Sequence, residues 1–91
     1  MKIPKYIKVG GQRITILRDE IAGGYDGDYG WTKNDENIIY VSKNLPPTRE
    51  AEVFLHEILH MINGYLTEKE CDYLSGALYQ VIKDNKLNFY D

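Results

Sequence analysis

The stretch TREAEVFLHEILHMIN, residues 48–63, is the most informative part of this sequence. Its apolar residues recur at helical spacing, so it predicts an amphipathic helix. The predicted core face carries six apolar residues: Ala51, Phe54, Leu55, Ile58, Leu59 and Ile62. His56, Glu57 and His60 fall on an adjoining arc, at the margin of that face. The helix is therefore expected to serve both the core and a functional site.

The pattern His-Glu-x-x-His within this helix predicts a metal site. At about 100° per residue, His56 and His60 differ by roughly 40° around the axis and lie one turn apart. Two imidazoles placed side by side can bind one metal ion, and Glu57 lies beside them. A zinc hydrolase needs two nitrogen ligands, an open position for water and a nearby carboxylate base. We predict that His56 and His60 bind Zn2+ and that Glu57 is the catalytic base.

A third ligand is expected from a second helix. Thr67-Glu68-Lys69-Glu70 is a capping-box pattern that predicts the start of this helix, and Gly64 is expected to end the first one. If the two helices fold back on each other, the first turns of the second face the histidines. Glu68 is the favoured ligand because it is long and close to the turn. Asp72, one turn later, is expected to orient an imidazole, and both Asp72 and Glu70 remain alternatives as ligands.

The first half of the chain is predicted to form strands. Residues 6–9 and 13–17 flank Gly10-Gly11, a dipeptide typical of tight hairpins, and residues 29–33 and 38–41 flank a polar turn. Residues 19–30 are predicted to be a loop, in which Asp26 and Asp28 lack the spacing of a calcium site. We predict an α+β fold: a small antiparallel sheet of three or four strands packed on two helices, in one domain spanning residues 1–91.

The apolar stripe of the second helix is predicted to be Cys71, Leu74, Leu78, Val81 and Ile82.

Composition narrows the class of protein. The 91 residues are 43% hydrophobic and 27% charged, which is typical of a globular domain. A net charge of −3 does not indicate the basic surface that binds nucleic acid, so we expect no nucleic-acid partner. The polar N-terminus and the lack of long apolar runs predict a cytoplasmic protein without a membrane partner. Cys71 is the only cysteine, which excludes an internal disulfide and a cysteine-based zinc cage, and we interpret it as a small buried hydrophobe.

These motifs resemble those of a known group of enzymes. His56-Glu57-Ile58-Leu59-His60 resembles the active-site helix of zincin metallopeptidases, and Glu68-x-x-x-Asp72 resembles the second-helix pattern of gluzincins. Most of the chain also resembles small phage and prophage proteins of the ImmA/IrrE metallopeptidase group. The resemblance implies a minimal zincin-like fold in which His56, His60 and Glu68 bind zinc, Glu57 is the acid/base and Asp72 supports a ligand. Only seven residues separate His60 from Glu68, which is short for this group.

The function implied is zinc-dependent hydrolysis of peptide bonds in a protein or peptide substrate, such as a regulator. Zinc lowers the pKa of its water towards about 7, and Glu57 takes that proton and passes it to the leaving amine. The resemblance also implies that the strand at residues 38–41 accepts an extended substrate by edge pairing. Five tyrosines are candidates to stabilise the oxyanion: Tyr25, Tyr29, Tyr40, Tyr65 and Tyr79. The alternatives are a non-catalytic, metal-stabilised protein-binding module and hydrolysis of a non-peptide bond at the same site.

Overall fold

A computed structural model of the chain describes residues 3–19 and 30–88. Their elements are, in order, β1 (Tyr6–Val9), β2 (Gln12–Asp19), β3 (Gly30–Lys33), a short 3-10 helix (Asn34–Glu36), β4 (Ile38–Ser42), α1 (Pro47–Ile62) and α2 (Glu68–Asp84). The predicted α+β class is confirmed. The predicted loop, with Asp26 and Asp28, lies almost entirely outside the described residues. Neither described helix has the length and apolar character needed to cross a lipid bilayer.

Both predicted hairpins are present. Gly10 and Gly11 have φ of +58° and +84°, values that residues with a side chain rarely adopt, and they join β1 to β2 in a two-residue turn. β3 and β4 pair as antiparallel neighbours across the 3-10 turn, which ends at Asn37 with φ of +54°. The turn residues therefore determine both local strand pairings.

The sheet is mixed, and the prediction of an antiparallel sheet is wrong in this respect. Its strand order is β1-β2-β4-β3, and β2 and β4 run parallel, with Thr15 opposite Ile38 and Ile16 opposite Ile39. The reason is that the second hairpin joins the first through β4, which inserts between β2 and β3. Because β4 is paired on both sides, the prediction that residues 38–41 accept a substrate by edge pairing is also wrong. Within the described part of the chain, β1 and β3 are the edge strands.

The core lies between one face of the sheet and α1. Ile14 and Ile16 of β2 and Ile39 and Val41 of β4 are buried at alternate positions, so all four point to the same side. Val53 and Phe54 of α1 pack against them. The core thus fixes α1 across β3 and β4, and this arrangement positions the residues that follow Phe54.

The buried faces of the two helices differ from the predicted apolar stripes. In α1, His56 and Glu57 are buried together with Ala51, Val53 and Phe54, whereas Ile62 is 62% exposed. In α2 the buried residues are Cys71, Ser75 and Tyr79, whereas Leu74, Leu78 and Val81 are more than 40% exposed. The reason is that α1 packs between the sheet and α2, so it is covered on two sides. The polar flank of each helix faces the other helix.

Candidate metal centre

The two histidines of α1 come together as side-by-side rings. Their ring centroids are 4.8 Å apart with an interplanar angle of 65°, and their Nε2 atoms are 3.1 Å apart. Both side chains are largely shielded from solvent, and that of His56 is the more buried. The four-residue spacing on a helix is the cause, because residues one turn apart share a face.

Glu68 reaches the same point from the first turn of α2. Its Oε1 is 2.6 Å from Nε2 of His60, and its Oε2 is 3.2 Å from Nε2 of His56. The ligand atoms of His56, His60 and Glu68 all lie within 4.8 Å of one another. Unlike the histidines, the Glu68 side chain is 68% exposed, so the cluster opens to solvent on this side.

This donor set fits a catalytic zinc ion. Tetrahedral bonds of about 2.0 Å separate neighbouring ligand atoms by about 3.3 Å, close to the Nε2–Nε2 and Nε2–Oε2 distances here. Two imidazole nitrogens and one carboxylate are the three protein ligands of one common type of catalytic zinc site, which leaves a fourth position for water. The arrangement is therefore compatible with a metal ion that is open on one side.

Each imidazole has a partner on its other nitrogen. Nδ1 of His56 lies 2.8 Å from Oδ1 of Asp72, and Nδ1 of His60 lies 3.5 Å from Sγ of Cys71. An Nδ1–H that donates to such a partner leaves the Nε2 lone pair free for a metal. Asp72 is where the sequence places a supporting residue. The sequence analysis did not predict the contact of Cys71 with His60. The position of Cys71, next to Asp72 and about one turn after Glu68, could have indicated that it faces the histidines.

The alternative ligand Glu70 is engaged elsewhere. Its Oε1 accepts a hydrogen bond from the backbone N–H of Thr67 at 2.8 Å, and its own N–H donates to the Thr67 hydroxyl at 3.1 Å. Hydrogen bonding of its carboxylate to the backbone, and also to the side chain, of Thr67 lowers the pKa of Glu70. The predicted capping box is thus present, and it turns Glu70 away from the cluster while it orders the turn that carries Glu68.

The candidate oxyanion donors are dispersed or undescribed. Tyr25 and Tyr29 lie outside the described residues. Tyr65 is 97% exposed in the connection between the helices, while Tyr79 is buried in α2 beneath the Lys83 ammonium. Tyr40 alternates along β4 with the buried Ile39 and Val41, so it lies on the opposite face of the sheet from α1. The structure therefore favours none of the described tyrosines.

Glu57 lies beside the cluster rather than in it. Its Oε2 is 3.9 Å from Nε2 of His56, and the whole residue is only 6% exposed. Burial raises the pKa of Glu57, because a carboxylate loses hydration there, while a hydrogen bond from Thr32 and the nearby imidazoles oppose this shift. The sequence did not single out Thr32, whose contact with Glu57 spans 25 residues and depends on tertiary structure.

Comparison with protein families gives one finding. The profile of the IrrE N-terminal-like domain, a peptidase family, matches residues 11–81. The matched range covers more than half of the 91 residues and includes β2, both histidines, Glu57, Glu68 and Asp72. Searches of curated proteins and of solved structures produced no match.

Proposed function

Because the chain belongs to the IrrE N-terminal-like domain family and so contains a metallopeptidase-like domain, we propose that it is a zinc-dependent metallopeptidase acting on a protein or peptide substrate. The observation that carries this proposal is the convergence of His56, His60 and Glu68 beside the buried carboxylate of Glu57. A metal that only stabilises a fold needs ligands but no adjacent base, so Glu57 favours an enzyme.

The ligands we assign to zinc are Nε2 of His56, Nε2 of His60 and the carboxylate of Glu68, a gluzincin-like set. When bound, zinc supplies Lewis acidity for the scissile carbonyl and acidifies a water molecule to a pKa of about 7. Asp72 and Cys71 hold the imidazoles through their Nδ1 atoms, so that both Nε2 atoms point at the same place.

Glu57 is the proposed general base and acid. Its free oxygen, Oε2, faces the cluster, where it can take a proton from the attacking water and pass it to the leaving amine nitrogen. Its raised pKa favours this role, because an acid/base catalyst works best when its pKa approaches the working pH. Glu57 thus needs both its burial and its position beside the histidines.

An extended substrate is proposed to pair with β3. This strand is an edge of the described sheet, and its residues Gly30 and Thr32 are in contact range of Glu57. A peptide that adds to this edge would run past the base with its backbone amides hydrogen-bonded.

One experiment tests the proposal. Zinc content and hydrolysis of a fluorescence-quenched peptide library are measured for wild type, His56→Ala, Glu57→Gln and Glu68→Gln. We expect His56→Ala to lose zinc, Glu68→Gln to bind it less tightly, and Glu57→Gln to keep zinc and lose turnover. Glu70→Gln is the matched control for Glu68→Gln, because a glutamine preserves the capping box and lies outside the cluster.

Two results would contradict the proposed enzyme. Turnover by Glu57→Gln at the wild-type rate would remove the general base from the mechanism. Zinc-dependent folding of a wild-type protein that hydrolyses no peptide would instead favour the non-catalytic, metal-stabilised binding module.

A further inference from the structure

We infer that Thr32 is a positioning residue that holds the Glu57 carboxylate with one oxygen facing the metal cluster, and that Gly30 leaves the space this requires. The inference rests on the proposed function, because it concerns the orientation of the proposed base. Its basis is the contact between the edge strand β3 and the buried side chain of Glu57.

Thr32 contacts Glu57 at two points. Its Oγ1 is 2.6 Å from Oε1 of Glu57 and 3.2 Å from the backbone oxygen of the same residue. A hydroxyl donates one proton and also accepts, so it can donate to an ionised Oε1. When Oε2 has taken the proton of the water, Oε1 carries no hydrogen and still accepts from the same hydroxyl. The contact therefore persists whether or not Glu57 holds the transferred proton.

The contact also distinguishes the two carboxylate oxygens. Oε1 is bound by Thr32, whereas Oε2 lies 3.9 Å from Nε2 of His56 and faces the cluster. Without the hydroxyl, Oε1 would be a buried oxygen with no replacement donor from residue 32, and the carboxylate would be free to rotate towards other donors. Thr32 thus selects the oxygen that is available to the reacting water.

Gly30 allows β3 to approach this closely. A Cβ at position 30 would lie 2.6 Å from Cγ1 of Val53 and 3.1 Å from both Cγ and Oε2 of Glu57. Gly30 and Thr32 are two residues apart and therefore face the same side of the strand. The space beside Gly30 and the hydroxyl of Thr32 therefore both adjoin the side chain of Glu57.

The sheet fixes β3 in this position. Gly30 pairs with Val41 and Thr32 pairs with Ile39, and both partners are core residues with at most 1% exposure. β3 is therefore anchored on one side by β4, while no strand among residues 3–19 and 30–88 pairs with its other edge. Because the core holds β3 in place, the Thr32 hydroxyl has a fixed position. A fixed hydroxyl is well suited to orient a carboxylate.

The test compares wild type, Thr32→Val, Thr32→Ser and Thr15→Val. Valine keeps the shape of threonine but lacks the hydroxyl, serine keeps the hydroxyl, and Thr15 is an exposed threonine on β2 of the same sheet. We expect Thr32→Val to lower kcat about 10- to 100-fold with KM and zinc content near those of wild type. Thr32→Ser should recover most of the lost kcat, and Thr15→Val should match wild type.

Crystal structures of zinc-loaded wild type and Thr32→Val provide a readout that is independent of turnover. We expect the Thr32–Glu57 hydrogen bond in wild type and a rotated carboxylate in Thr32→Val. If wild type hydrolyses no peptide, the proposed function fails, and the position of Glu57 in these two structures still decides whether Thr32 holds it.

Three results would overturn the inference. Wild-type kcat in Thr32→Val would show that the hydroxyl is not needed, and an equal loss in Thr32→Ser would assign the effect to the methyl group. An unmoved carboxylate in the Thr32→Val structure would show that other contacts hold Glu57. Should Thr32→Val not fold, Thr32→Ser and the wild-type structure decide, since a carboxylate that does not contact Thr32 contradicts the inference.

Discussion

At the residue scale, two adjacent residues of α2 each contact a different imidazole of the candidate metal centre. Asp72 contacts Nδ1 of His56, while its neighbour Cys71 contacts Nδ1 of His60. Burial raises the pKa of the Cys71 thiol, and the nearby carboxylates act in the same direction, so it stays protonated at neutral pH. A thiol is a weak hydrogen-bond partner rather than a metal ligand in this state, which agrees with its place behind His60.

Asp72→Ala is expected to weaken zinc binding about 10- to 100-fold, because His56 loses the partner that orients its ring. Asp72→Asn should lose less, since the amide oxygen still accepts from Nδ1–H. Competition with a chromogenic chelator measures the affinities. Asp84→Ala, at the far end of α2, is the matched control, and equal affinities for Asp72→Ala and Asp84→Ala would disprove the role given to Asp72.

Sequence spacing predicts those site residues that lie on the helices. His56, Glu57 and His60 are grouped by helical periodicity, and Glu68 and Asp72 follow from the spacing of a second helix. The structure brings the two histidines and Glu68 together as that reasoning expects. Thr32 and Gly30 were not predictable, because their contacts with Glu57 depend on how β3 packs against α1, and no local pattern encodes this packing.

At the element scale, the start of α2 links helix stability to the site. The capping box of Thr67 and Glu70 orders the first turn, and Glu68 is the first residue of that turn. The start of α1 has no comparable capping box. Instead α1 begins at Pro47, with no side-chain cap, because a proline at the first helical position needs no N–H partner.

Thr67→Ala is expected to lower the free energy of unfolding by about 1 kcal/mol and to weaken zinc binding, because the turn that carries Glu68 loses its cap. Thr67→Ser should preserve both properties, since serine also caps. Urea unfolding and zinc titration measure the two effects. A loss of stability without any change in zinc affinity would mean that Glu68 is held independently of the cap.

The order of the strands illustrates what element-level reasoning can predict. Both hairpins follow from turn residues, and Gly10-Gly11 adopts the positive φ that its sequence favours. The parallel pairing of β2 with β4 was not predicted, because it joins strands whose partners, such as Thr15 and Ile38, are distant in sequence. The shared burial of Ile14, Ile16, Ile39 and Val41 in one core accompanies this pairing.

At the scale of the whole molecule, the candidate ligands join α1 to α2. His56 and His60 are on one helix and Glu68 is on the other, while α2 leaves Leu74, Leu78 and Val81 substantially exposed. α2 therefore gains less from apolar burial than its composition suggests. A metal that binds only the folded chain would add its binding free energy to the stability of this packing.

Removal of zinc is expected to lower Tm by about 10–20 °C. At a free zinc concentration of 100 Kd, binding stabilises the folded chain by about 2.7 kcal/mol. Each kcal/mol shifts the Tm of a domain of this size by about 4–8 °C. Calorimetry with and without a chelator measures the shift. His60→Ala serves as the control, because it should show no zinc-dependent change in Tm. An equal shift in His60→Ala would place the ion elsewhere.

The helices supply the proposed metal ligands, whereas the sheet supplies the residue that supports the proposed base. This division has an evolutionary consequence. The proposed ligands and their imidazole partners all lie within residues 56–72, whereas the proposed support of Glu57 comes from β3. A helical hairpin of this kind could therefore have acquired cation affinity before it acquired hydrolytic activity. Loss of the Thr32 hydroxyl alone would weaken hydrolysis by such a protein while its histidines, and with them its affinity for zinc, stayed intact.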